Sequence, residues 1–114
     1  MTPHDFSTLT SNAHEDWTLF AVFFRDKPGA GDLRRQLLQA YLEWVAAHSD
    51  ALRVAGSLRE SPDATPVGGL WVVRAPSKAA VQALIATDPF TTGGLRAGWD
   101  IHHWSKALPQ PVSF

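Results

Sequence analysis

With 114 residues, 45% of them hydrophobic, and a formal net charge of -1, the chain has the size of one domain with a modest core. The near-neutral balance and the lack of any Lys/Arg cluster leave no electrostatic footprint for nucleic acid or an anionic membrane surface, so neither is an expected partner. The absence of cysteine excludes disulfides, thiolate nucleophiles and thiolate metal sites.

In chain order, Met1 to Asp16 is polar and aperiodic and is expected to be a flexible N-terminal arm. It lacks the basic-then-apolar order of a secretory signal, and the longest apolar run, Leu19 to Phe24, is far too short to span a bilayer, so the expected location is cytoplasmic. The folded domain should occupy residues 17–106. Thr18 to Phe24 is rich in β-formers, apolar on both faces, and stops at the turn cluster Arg25-Asp26-Lys27-Pro28-Gly29. A helix capped by Asp32 and running to about His48 follows from the spacing of Leu33, Leu37, Ala40, Tyr41, Trp44 and Val45, with Gln36, Gln39 and Glu43 on its wet side. Strands near Leu52–Leu58 and Gly69–Arg74 flank a long connection rich in Pro, Ser and Asp. A second helix starts at Ser77 as N-cap, carries Val81, Leu84 and Ile85 on its apolar stripe and stops at Asp88-Pro89, because proline cannot continue the hydrogen-bond ladder. A last strand, Trp99 to Trp104, precedes a proline-bearing tail, residues 107–114.

The order βαββαβ is the ferredoxin-like plan: an antiparallel four-stranded sheet with two helices on one face, of the type that assembles as dimeric α/β barrels. In the first strand Leu19, Ala21 and Phe23 point one way and Phe20, Val22 and Phe24 the other, so the face away from the helices still carries large apolar side chains. At about 25 cal/mol per Å², burying several hundred Å² of it against a twin is worth several kcal/mol before association costs, which makes a homodimer the expected form.

The segments Phe20-Ala21-Val22-Phe23-Phe24-Arg25-Asp26-Lys27-Pro28-Gly29, Ala55-Gly56-Ser57-Leu58, and Asp88-Pro89-Phe90 with Gly94-Leu95 and then Trp104 resemble the YciI-like (YCII-related) family of small dimeric α+β proteins. The resemblance covers residues 18–104, and its most specific element is Asp-Pro-Phe followed by Gly-Leu and a strand ending in Trp. It implies a ferredoxin-like dimer with a cleft beside the sheet, and a site that pairs an aspartate, here Asp88, with a histidine on the first helix. The place of that histidine falls at Leu38, or at Gln39, and neither residue can accept and return a proton at neutral pH.

The candidate catalytic residues are Asp88 and His102. Asp88 has two open roles: its carboxylate can take the N–H of Phe90 or Thr91 as a turn cap, or serve as an acid/base in an aromatic cleft. His102 shares a strand face with Asp100 and Trp104 and stands in for the helical histidine if that face lines the cleft; its alternative is an exposed edge histidine. Arg34, Leu38, Tyr41, Phe90 and Trp104 form the candidate substrate-binding set. Arg34 lies in the apolar arc of the first helix, where a cation can receive a carboxylate or else reach solvent. His102 and His103 are adjacent and point to opposite faces, so they cannot grip one ion, and no metal or organic cofactor is expected. The functional classes are a cofactor-independent lyase or isomerase using Asp88, a non-catalytic dimeric module for a small hydrophobic or aromatic ligand, and, more distantly, an oxygenase or haem-binding relative with the same strand order.

Overall fold

The computed structural model describes residues 17–108, so the N-terminal arm and most of the C-terminal tail lie outside the described residues. The elements run β1 (Thr18–Asp26), α1 (Gly31–Ala47), β2 (Leu52–Leu58), β3 (Gly68–Ala75), α2 (Lys78–Ile85), α3 (Pro89–Thr92) and β4 (Arg96–His103). The strands form one antiparallel sheet in the order β2-β3-β1-β4, the ferredoxin-like arrangement. No helix among the described residues is long and apolar enough to cross a membrane.

The alternation of β1 sets the two sides of the sheet. Phe20, Val22 and Phe24 are buried with Trp71 and Val73 of β3, under Tyr41 of α1, Val81 and Ile85 of α2 and Phe90 of α3. Each such side chain contributes roughly 1.5–3 kcal/mol by leaving water. Phe23, on the opposite side, is 45% exposed. Its register neighbours Leu70 and Asp100, together with Ala21, Val72 and His102, make up the open face of the sheet.

Three boundaries differ from the sequence expectation. Helix α1 starts two residues earlier, with Ala30 at the N-cap and no side-chain cap; Asp32 lies inside the first turn, where its carboxylate pairs with Arg35 instead. Strand β4 begins at Arg96, not Trp99, because a register shift between Arg25 and Asp26 lets the strand pair past the irregularity and places Asp26 opposite Arg96. Its last residue is His103, and Trp104 follows with its N–H donated to the Leu19 carbonyl at 3.0 Å. Ser77 does cap α2, accepting from the Ala80 N–H at 3.1 Å.

Candidate functional site

The run from Asp88 to Leu95 builds one wall of a cleft. Asp88 is the N-cap of α3, its carboxylate accepting from the Phe90 N–H at 2.8 Å, and Pro89 fits the first helical position because its missing N–H would have no partner there. The turn is closed by the Leu95 N–H to Phe90 carbonyl bond at 2.9 Å, with Gly94 supplying the positive φ of 87° that ends it. This geometry drives Phe90 inward against Tyr41, with the two rings stacked and their centroids 4.0 Å apart. Tyr41 is fixed from the other side by the indole of Trp71, whose Nε1–H donates to its hydroxyl at 2.9 Å.

Behind and beside this aromatic wall runs a chain of four buried charges. Arg34 donates to Asp26 Oδ2 from Nε at 3.0 Å and from Nη2 at 2.8 Å, and to the Gly68 carbonyl at 3.2 Å. Asp26 Oδ1 lies 3.5 Å from Arg96 Nη1, and Arg96 Nη2 donates to Asp88 Oδ2 at 3.3 Å. Thr91 Oγ1 also donates to Asp88, at 3.2 Å. The Arg96 guanidinium lies over the Phe24 ring at 3.9 Å and beside the stacked pair of Phe90 and Tyr41, 5.0 and 5.7 Å from their ring centroids. Its side chain is 2% exposed, yet its Nε has no hydrogen-bond partner among the described residues. Burial pushes the Asp88 carboxyl above its ordinary range, against the opposing pull of Arg96, the Phe90 N–H and Thr91.

The cleft itself, about 310 Å³, lies between α1, α3 and the β2–β3 side of the sheet. Its floor is made by the buried Tyr41, Phe90 and Arg96 with the largely buried Arg34, and its rim by exposed Leu38, Leu42, Arg35 and Arg59. The lining thus holds four arginines, and no carboxylate among the described residues. A larger hollow of about 580 Å³ lies beside it at the β1–α1 turn, bordered by Lys27, Gly31, Thr65 and Val67.

Of the residues singled out from the sequence, Arg34, Leu38, Tyr41 and Phe90 come together in this cleft. Arg34 turns inward to the Asp26 carboxylate, with 12% of its side chain exposed. Asp88 is fully buried behind Phe90 and Arg96 and is not part of the lining. His102 and Trp104 lie elsewhere. His102 is opposite Ala21, on the open face, with its ring 6.2 Å from Phe23, and the same alternation carries Trp104 to that side. His103 instead faces the helices, 4.5 Å from Phe20. Of the two positions where the resemblance places a histidine, Leu38 faces the cleft, whereas Gln39 faces outward and donates to Glu43.

Sequence reasoning missed Arg96 and Asp26. The strand order alone brings the chain after Phe24 near the chain before Trp99, but the Asp26–Arg96 pairing lies beyond a register shift that the local pattern does not mark.

Residues 18–105 match the YCII-related domain. Among curated proteins none is significantly similar to the chain. Three solved structures share the fold. The 5-chloro-2-hydroxyhydroquinone dehydrochlorinase TftG from Burkholderia phenoliruptrix, in complex with 2,5-dihydroxybenzoquinone, is 24% identical, with a TM-score of 0.70 over 76% of this chain and 93% of its own. A proposed antibiotic biosynthesis monooxygenase from Bacteroides thetaiotaomicron is 15% identical, with a TM-score of 0.56 over 89% of this chain and 99% of its own. NE2512, a protein of unknown function from Nitrosomonas europaea, is 17% identical, with a TM-score of 0.50 over 89% and 99%. The family match spans the whole sheet, both longer helices and the Asp88 turn, and the chain belongs to the YCII-related family.

Proposed function

We propose that the protein is a cofactor-independent small-molecule enzyme of lyase or isomerase type, and that its cleft holds a planar, one-ring anion. The carrying observation is the lining: four arginines, no carboxylate among the described residues, and a buried guanidinium whose Nε lacks an acceptor. Such a floor favours negative charge that develops on a ligand oxygen, because fixed cations in a water-poor site need no reorganisation when the charge appears. In an elimination, a C–H proton passes to a water molecule in the cleft, its electron pair forms the new double bond and the leaving group departs with its bonding pair; in an isomerisation water returns a proton at another carbon. Both pass through an enolate-like oxyanion that Arg96 and Arg34 are placed to stabilise. Asp88, behind Phe90 and Arg96, sets the charge of the site. If it is ionised, the Arg34–Asp26–Arg96–Asp88 chain is neutral; once it takes a proton, the chain gains a positive charge that an incoming anion balances. The volume suits a single ring with substituents, the size of the quinone held by TftG.

The second reading is a non-catalytic binding module, favoured by one observation: apart from Tyr41 and Ser57, no cleft residue other than the arginines carries an exchangeable side-chain proton. For either reading we infer that the open sheet face, with Phe23 exposed, packs against a second copy of the chain.

Matched acids and amides test the cleft. Benzoate, salicylate and 2,5-dihydroxybenzoquinone should raise the melting temperature, whereas benzamide should not, and Arg34→Gln should weaken the stabilisation while keeping the fold through the remaining Asp26–Arg96 contact. Equal stabilisation by amides and acids would sink the anion reading. Turnover of any stabilising compound separates enzyme from module.

A further inference from the structure

The Tyr41 hydroxyl is a buried group whose hydrogen has nowhere to go. Its oxygen accepts from Trp71 Nε1 at 2.9 Å, and an indole N–H can only donate, so the phenol cannot answer that bond with its own hydrogen. Among the described residues no carbonyl, carboxylate or hydroxyl accepts that hydrogen. Burial raises the phenol above its ordinary proton affinity, while the Trp71 bond and both the charge and the hydrogen bonding of Arg96 pull against it, so the hydrogen stays in place at neutral pH. The ring itself is held by Phe90 at 4.0 Å and lines the cleft.

Arg96 lies beside it, already paired with Asp26 and Asp88. Its guanidinium lies 5.7 Å from the Tyr41 ring, and its Nε–H is buried without an acceptor. Buried polar groups are nearly always hydrogen-bonded, and leaving a donor unmet is costly. The Tyr41 O–H, a donor with no protein acceptor among the described residues, stands beside the Arg96 cation on the floor of an arginine-lined cleft, and this pairing calls for a ligand that only accepts.

Resting on the cleft reading above, we propose that Tyr41 donates a hydrogen bond to a ligand oxyanion that Arg96 also contacts, and that the ligand class is a ring-borne phenolate or enolate. A single oxygen attached directly to a ring can meet both donors while the ring lies along the Phe90 side of the cleft. Tyr41 thereby takes the position of hydrogen-bond donor on α1, one turn beyond Leu38 on the same helix face.

Titration of the protein with 4-nitrophenol, whose visible absorbance reports its ionisation, tests this, with nitrobenzene as a neutral probe of the same shape. Wild type should bind the phenolate and raise the ionised fraction of bound probe above that in free solution. Tyr41→Phe should weaken 4-nitrophenolate binding about 10-fold or more, the usual effect of one hydrogen bond to a charged group, lower the bound ionised fraction and leave nitrobenzene binding unchanged. Because Tyr41→Phe strands the Trp71 N–H, the double variant Tyr41→Phe, Trp71→Phe removes both partners and must show the same loss. Equal phenolate affinity and equal bound absorbance in wild type and these variants, with binding still lost in Arg34→Gln, would overturn the role of Tyr41 and leave the cleft reading standing. No binding of 4-nitrophenol to wild type at millimolar concentration would overturn both.

Discussion

Asp88 shows how one side chain can be a structural cap and an electrostatic element together. Its carboxylate holds the Phe90 N–H, the Thr91 hydroxyl and the Arg96 guanidinium, all without exposure to water. Asp88→Asn keeps the capping oxygen, whereas Asp88→Ala removes it, so the alanine variant should be the less stable by about 1 kcal/mol or more in urea denaturation. The folded carboxyl has a raised proton affinity, so its contribution to stability is fully present below the unfolded-state value and is lost as pH rises through the folded-state value. Wild type should therefore lose stability relative to Asp88→Asn as the pH is raised from about 4 toward neutrality. If the two pH profiles run parallel, burial does not govern this carboxyl. Asp26 is the sharper structural test. It is the shared partner of two buried arginines, so Asp26→Ala should cost about 3–5 kcal/mol, the usual penalty for stranding a buried charge. Both acids sit at element ends, and Asp88 was legible as a turn acid from the proline beside it. Its full burial was not, because burial depends on Arg96, a residue that becomes its neighbour only through the β1–β4 register.

At the level of elements, local rules and tertiary context divide the outcome. The alternation in β1 and the Ser77 cap were readable because each depends on nearest neighbours along the chain. Ser77→Ala should lower stability by about 1 kcal/mol, measured by thermal or urea unfolding, while leaving the cleft untouched. The start of α1 differs because Ala30 takes the N-cap position, leaving Asp32 in the first turn, where the helix N-terminus also favours an acid. The early start of β4 was misread since pairing with β1 continues past a register shift that no local pattern announces. The strand pattern sets His102 and Trp104 on one face and leaves open whether that face lines the cleft or is exposed; it is the open one, fixed by Ala21 and Phe23 across the strand pair. Gly68 shows the same dependence: a β-carbon there would run into the Phe24 carbonyl oxygen of the neighbouring strand, so Gly68→Ala should be strongly destabilising although the position looks like an ordinary turn glycine.

For the whole molecule, the sheet has a helix-covered side that carries the arginine-lined cleft and an open side that carries Phe23, Leu70 and Val72. These two surfaces make separable forecasts. Light scattering should find a dimer at micromolar concentration, and Phe23→Glu, which places a charge in the middle of the open face, should give a folded monomer with lower stability. A wild-type monomer at that concentration would remove the pairing of open faces. The cleft should survive in the monomeric variant, because its named residues lie on the helix-covered side, away from Phe23. Its occupancy by an anion is settled most directly by a crystal structure of the protein soaked with 4-nitrophenol. The expected result is a phenolate oxygen within hydrogen-bond distance of the Arg96 guanidinium and the Tyr41 hydroxyl, with its ring along Phe90; a probe seated only in the β1–α1 hollow or on the open sheet face would contradict it.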